Sequence, residues 1–179
     1  MADKAFIKLG EKEVELPIYV GTEGEESIDI NKLRDLTGFV TLDSGYKNTG
    51  ATKSGITFLD GELGILRYRG YPIEQLAEKS NFMEVAYLLL YGELPTNDQF
   101  VDFTDRITHH TLVHEDVKQF FDGFPSNAHP MGQLCSLMCT LSSFYPDSLN
   151  PNMSKEATDL TIIRILAKMA TVVSWIHKK

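Results

Sequence analysis

Cysteine is scarce: 179 residues carry only Cys135 and Cys139. Two cysteines make no disulfide framework, and their spacing of four on an expected helix reads as two buried small side chains. Basic charge is also short, with 17 Lys and Arg against 25 Asp and Glu and a net charge of -8 at pH 7. Such a chain repels a phosphate backbone at long range and lacks the basic footprint of a nucleic-acid binder, so nucleic acid is excluded as a partner. No apolar run approaches the ~20 residues needed to span a bilayer, the longest lying around Tyr87 to Tyr91, and no membrane partner is expected. Met1-Ala2-Asp3-Lys4 has neither the basic and apolar regions of a signal peptide nor the Arg-rich character of a transit peptide. A cytoplasmic, bacterial setting is the expectation.

Several chemical signatures are missing too. His109, His110, His114 and Glu115 cluster, but a zincin needs a second His four residues after its His-Glu pair, and Lys118 stands there. His110 and His114 could share a helix face, yet spacing supplies no third ligand, and helix-end histidines are the simpler reading. Gly50 to Gly55 contains Lys53 and Ser54 but not the Gly-Lys-Ser/Thr ending of a P-loop, and no Gly-x-Gly-x-x-Gly fingerprint occurs. No metal and no resident cofactor is expected.

What is present is an ordinary globular composition, 42% hydrophobic and 23% charged with 7 prolines. At this length about 70% of the unfolded surface can be buried. Residues 1–60 read as a β-rich subdomain. Phe6 to Leu9 and Val14 to Tyr19 flank Gly10-Glu11-Lys12 as a hairpin, with Val14, Leu16 and Ile18 on one face. Asp29 to Leu36 suggests a short helical turn ended by Gly38. Ile56 to Leu59, Asp60-Gly61 and Ile65 to Arg69 suggest a second hairpin.

Residues 61–179 read as helices with their own punctuation. Pro72 suits a first helical position, followed by Ile73, Leu76 and Ala77. Asn81 with Glu84, and Thr96 with Gln99, make capping boxes, and Gly92 ends the helix between them. Phe100, Phe103 and Ile107 then face inward. The next helix starts near His114, turns Val117, Phe120 and Phe121 inward and ends at Gly123. Another begins at Pro130, where His129 orders the turn, and carries Leu134, Leu137, Met138, Leu141 and Phe144. After a loop from Pro146 to Ser154, the last places Ile162, Leu166, Met169, Val173 and Ile176 on one stripe. The fold class is therefore mainly α with a β-rich N-terminal attachment.

Two surface features invite a function. Gly132, Ser136, Cys139 and Ser143 form a small-residue stripe that would let another helix approach, within the subunit or across an interface. Arg164 and Lys168, four apart and opposite the apolar stripe, would present two positive charges on a solvated face or to an anion.

Composition and spacing stop there, but longer segments carry a resemblance. Gly55-Ile-Thr-Phe-Leu-Asp-Gly-Glu-Leu-Gly-Ile-Leu-Arg-Tyr-Arg-Gly-Tyr-Pro-Ile-Glu-Gln-Leu-Ala77 closely resembles the passage of citrate synthases into their helical large domain. So do Asn81-Phe-Met-Glu-Val-Ala-Tyr-Leu-Leu-Leu-Tyr-Gly-Glu-Leu-Pro-Thr96, His110-Thr-Leu-Val-His-Glu115 and His129-Pro-Met131. The β-rich attachment resembles that of the bacterial, hexamer-forming branch. The resemblance covers essentially the whole chain and implies the N-terminal portion of an acyltransferase of the tricarboxylic acid cycle, with acetyl-CoA and oxaloacetate as substrates and a homo-oligomeric parent. A 2-methylcitrate synthase and a stand-alone helical interaction or ligand-sensing module are the alternatives.

In that family an aspartate takes a proton from the acetyl methyl, one histidine stabilises the enol and another polarises the oxaloacetate carbonyl. The His-Gly-Gly-Ala-Asn, Gly-His-Arg and Val-Asp-Phe-like segments that carry them have no match in this sequence. No residue is assigned as catalytic, and the chain is read as truncated and inactive alone. The resemblance also implies an allosteric NADH site at His110, Thr111, Tyr145, Arg164 and Lys168. Where NADH-sensitive members carry arginine and methionine, this chain has His109 and Leu112. Losing a bidentate donor costs about 1.5 to 3 kcal/mol if the contact is direct, so NADH sensing is expected to be weak or absent.

Overall fold

A computed structural model describes residues 4–178. The chain divides into two compact units, Met1–Gly55 and Ile56–Lys179.

The first unit is built on the expected hairpin. Strand β1 (Lys4–Leu9) pairs antiparallel with β2 (Lys12–Val20), Ile7 opposite Val14 and Ala5 opposite Leu16. Leu16 is 1% exposed and anchors the inner face with half-buried Val14 and Ile18. A third strand unforeseen in the sequence, β3 (Glu26–Ile28), adds to β2. At three residues it is too short to show a period. Helix α1 (Leu33–Thr37) ends at Gly38, and Thr37 receives a bond on its carbonyl from Lys12 Nζ at 3.2 Å.

The second unit begins with β4 (Thr57–Asp60) and β5 (Ile65–Tyr68), the second expected hairpin, now extended by β6 (Tyr71–Pro72). The β5–β6 turn is Arg69-Gly70 with φ of 50° and 88°, two consecutive left-handed residues as a tight two-residue hairpin requires. Glycine adopts this freely; Arg69 is held by its Nη2 donating to the Leu89 carbonyl at 2.8 Å. Pro72 ends β6 as the N-cap, so helix α2 (Ile73–Lys79) starts one residue later than expected.

Both capping boxes form. Asn81 accepts from the Met83 and Glu84 amides while Glu84 reaches back to the Asn81 amide at 2.7 Å, opening α3 (Phe82–Tyr91). Thr96 and Gln99 do the same for α4 (Asn97–Thr108). Gly92, at φ 97°, closes α3. Helix α5 (Val117–Asp122) is shorter than expected, His114 being irregular and Glu115 and Asp116 a turn. Val117 and Phe121, one helical turn apart, fill its inward stripe, which leaves Phe120 to the side and 55% exposed rather than buried.

Helix α6 (Pro130–Phe144) starts with His129 Nδ1 accepting from the Met131 amide at 3.2 Å. Its buried positions Gln133, Leu137 and Leu141 repeat every four residues. Cys135 and Cys139 lie on the far side of that face, so both are exposed, not buried as their residue type suggested. A 3₁₀ turn at Pro146–Leu149 interrupts the following loop.

Helix α7 (Lys155–Lys178) is the longest at 24 residues. Its buried positions are Ile163, Ala167, Lys168 and Val172, a face rotated from the expected stripe, with Val173 46% exposed. The reason is that α7 packs against both α4 and α6, so no single apolar stripe serves it. Among the described residues it is also the one helix long and apolar enough to cross a bilayer by length and composition, contrary to the run-based expectation. Arg164 and Lys168 break the run and lower its average, yet the helix stays apolar enough overall to cross by composition. Lys179, which the sequence places at its close, lies outside the described residues. Val113, Val117, Phe121, Leu137, Leu141 and Val172 form a core between α5, α6 and α7.

Candidate functional site

Of the five residues expected at an NADH site, Tyr145, Arg164 and Lys168 line one cavity, while His110 and Thr111 meet α7 through their backbone carbonyls and do not line it. Lys168, 3% exposed, donates from Nζ to the His110 carbonyl at 2.9 Å and to the Leu112 carbonyl. One turn on, Thr171 Oγ1 donates to the Thr111 carbonyl at 2.8 Å. Three successive carbonyls of the α4–α5 connection are thus gripped by two side chains of one helix. Lys168 is not the solvated charge that the expected stripe made it.

Tyr145, which caps α6, supplies the other wall. The Arg164 guanidinium carbon sits 4.8 Å and the Lys168 ammonium 5.3 Å from its ring centroid, both within cation–π range. Arg164, Lys168, Tyr145, Ser148, Leu141 and Met138 line a cavity of about 190 Å³. Among the described residues neither cation has a carboxylate within ion-pair distance. In a chain of net charge -8, two cations without acids beside an apolar-walled cavity favour an anionic group attached to a ring or chain. His110 contributes its carbonyl here, while its Nδ1–H is turned back onto the Arg106 carbonyl at 2.7 Å. His109 does likewise to Asp105 at 2.8 Å and keeps a side chain 70% exposed.

A second constellation escaped the sequence. Asp159 on α7 accepts from the Tyr91 hydroxyl on α3 and from the Arg106 guanidinium on α4. These partners lie 68 and 53 residues away in sequence, beyond any spacing rule. Burial pushes the Asp159 carboxyl up, but the bonds from Tyr91 and Arg106 outweigh it and leave the group below its ordinary value. Burial and then the bond to Asp159 push Tyr91 up to about 12.

Both shifts have consequences for stability. With its folded value depressed, Asp159 contributes stability that is present above the ordinary carboxylate range and lost as pH falls through the folded value. Tyr91, raised from 10.0 to about 12, contributes below pH 10 and loses that contribution as pH climbs through about 12. Asp159→Asn is expected to cost about 1 kcal/mol near neutrality, since the group is partly exposed and screened. Urea midpoints measured against pH should show a shallower acid limb in the variant, and spectroscopic titration should show one tyrosine ionising earlier. Superimposable acid limbs would remove Asp159 as a pH-sensitive tie.

The small-residue stripe of α6 is exposed throughout at Gly132, Ser136, Cys139 and Ser143. Packing within this chain therefore does not account for it. Among the described residues no group of three or more His, Cys, Asp or Glu side chains could hold a metal.

Comparison with known proteins gives this arrangement a family. The family model described as "Citrate synthase, C-terminal domain" matches residues 45–179. "Citrate synthase 1" of Mycobacterium tuberculosis (strain CDC 1551 / Oshkosh) is 52% identical over 177 residues, 99% of this chain and 41% of the relative. "Citrate synthase" of Corynebacterium glutamicum is 44% identical over 176 residues, 98% of this chain and 40% of the relative. The crystal structure of citrate synthase from Thermotoga maritima MSB8 superimposes with a TM-score of 0.62 at 28% identity, covering 76% of this chain and 34% of that one. That from Pyrobaculum aerophilum gives 0.62 at 26% identity, over 89% and 37%. The chain spans about two fifths of the length of the curated relatives it matches. With three quarters of its residues inside the family model and helices arranged as in the solved members, the chain belongs to the citrate synthase family.

Proposed function

We propose that this chain is the scaffold portion of an acyltransferase that condenses acetyl-CoA with oxaloacetate to citrate and CoA, in a cytoplasmic homo-oligomer. The observation that carries this reading is 52% identity, sustained over 99% of the chain, to a protein named citrate synthase. The chain supplies helices rather than chemistry. Its two strongest polar constellations join one helix to another, at Asp159 and at Lys168, and neither sets an acid, a base and an electrophile around an open site. The exposed stripe of α6 is the face we assign to subunit contact, because small side chains let a second helix approach closely.

A chimera tests the assignment. The 179-residue chain alone is expected to release no CoA from acetyl-CoA and oxaloacetate. Placed in the Mycobacterium tuberculosis relative in exchange for the matching 177 residues, it should support CoA release that requires both substrates. A folded but inactive chimera, or one that works with propionyl-CoA alone, would overturn the reading.

The cavity beside Tyr145 is proposed as a weak dinucleotide site of the NADH type. Arg164 would pair with the pyrophosphate and the Tyr145 ring would offer a stacking surface. His109 holds back its affinity. Exposed and tied to its own helix, it does not present the planar bidentate donor of an arginine.

A further inference from the structure

We infer that the cavity between α3, α4 and the start of α7, walled by tyrosine rings and carboxylates, binds the ammonium end of a short aliphatic amine. The site is separate from the Tyr145 cavity and does not depend on the reading given for it.

Its walls suit an organic cation. Tyr87 and Tyr91 of α3, Asp102, Phe103 and Arg106 of α4 and Asp159 of α7 line a volume of about 190 Å³. The Tyr87 and Tyr91 rings are inclined at 45° with centroids 4.4 Å apart, and Tyr91 is 43% exposed. A ring face attracts a cation held within about 6 Å of its centroid.

The charges in the cavity have the matching sign. Two carboxylates stand against one guanidinium, which leaves one negative charge in excess. How these charges are engaged decides more than their sum. Arg106 donates to Asp159, so that guanidinium and that carboxylate largely cancel each other. Asp102, one turn before Arg106 on the same helix, has neither a hydrogen bond nor an ion pair on its carboxylate among the described residues. The unengaged charge is therefore that of Asp102. An anion entering the cavity would be repelled by it, whereas an ammonium gains a charge-assisted hydrogen bond.

The same geometry narrows the ligand. A divalent metal takes several oxygen ligands, and no group of three His, Cys, Asp or Glu side chains is gathered among the described residues. An alkylammonium uses both halves of the site, its head group on Asp102 and a tyrosine face, its methylenes against the rings. One unengaged carboxylate calls for one head group, so a diamine should gain over a monoamine only the statistical advantage of its two ends.

The experiment titrates n-butylammonium into the 179-residue chain at low ionic strength, with butan-1-ol as the neutral isostere and butyrate as the anion of like length. Tyrosine ring-proton shifts in NMR spectra read the occupancy. Butylammonium is expected to bind at least about tenfold more tightly than either control, the worth of one hydrogen bond between charged groups. Asp102→Asn, at an exposed position where the fold is kept, should remove that advantage. Arg106→Gln leaves both carboxylates unopposed and should strengthen binding, with circular dichroism confirming that the helices persist. A free amine and a lysine side chain offer the same head group, and N-acetyl-lysine amide tells them apart: binding as tight as that of butylammonium assigns the site to a peptide lysine, and much weaker binding to a free amine. Butylammonium binding no tighter than butan-1-ol, tighter binding of butyrate, or an affinity for butylammonium unchanged in Asp102→Asn would overturn the inference. A loss of affinity in folded Arg106→Gln would overturn it as well, since the ligand would then need the guanidinium.

Discussion

Phe103→Ala is expected to lower stability by about 3 to 5 kcal/mol, the largest loss of any single truncation in the helical unit. Phe103 is 1% exposed on α4 and meets Tyr87 and Tyr91 of α3 edge-on, with ring centroids 5.4 Å and 6.1 Å away at 87° and 88°. Such T-shaped pairs contribute about 0.5 to 1.5 kcal/mol each beyond the area they bury. Collapse cannot refill the space, because the same three rings already border a cavity of about 190 Å³ beside Arg106 and Asp159. The void left by the phenyl ring would join it and let water reach the Asp159 tie. Urea unfolding followed by circular dichroism checks the figure, with Phe103→Leu as the control that keeps most of the volume. The leucine variant should lose less than half as much. Equal losses would mean that backbone disturbance, and not the void, sets the cost.

Lys168→Met should be the next most damaging change, at about 2 to 4 kcal/mol. Methionine preserves the length and flexibility of the side chain, so packing along α7 survives and the cost is polar. Two loop carbonyls lose their donor, and each orphaned acceptor costs about 1 to 3 kcal/mol when water does not replace the lost partner. Against this, the variant no longer has to desolvate an ammonium, which offsets part of the loss. The pattern of damage is more telling than its size. Amide exchange should accelerate first across His110 to Glu115 and only later in α6, because Thr171 then supplies the remaining side-chain hydrogen bond from α7 to the connection among the described residues. A uniform acceleration would show that Lys168 supports the whole bundle rather than one loop. A loss under about 0.5 kcal/mol would show that the carbonyls find water easily, as surface groups do.

Legibility in the sequence followed the range of the interactions. The capping boxes at Asn81 and Thr96, the stop at Gly92 and the start at His129 were readable because each is a bond between residues no more than four apart. The two long hairpins were readable for the same reason, as a turn signal flanked by alternation. Long, ordered segments identified the family, and comparison over 99% of the chain agrees.

The misreadings share a different cause. Residue type favours burial of Cys135 and Cys139, but α6 commits its inward face to Gln133, Leu137 and Leu141 and leaves both cysteines exposed. Period 3.6 tells which residues share a face and not which face meets a neighbour. On α7 the period allowed several stripes, and only contact with α4 on one side and α6 on another selected Ile163, Ala167, Lys168 and Val172. That rotation carried Lys168 from the solvent to the loop carbonyls and so made a clasp of what had read as a surface charge pair. Local sequence was enough for the boundaries closed by caps and turns, at Asn81, Gly92, Thr96 and His129, because those bonds join neighbours in the chain, whereas β3 and the start of α5 carried no such signal. Which faces are buried, and which distant groups Asp159 and Lys168 hold, the tertiary structure alone decided, since those partners lie more than fifty residues away and packing brings them together.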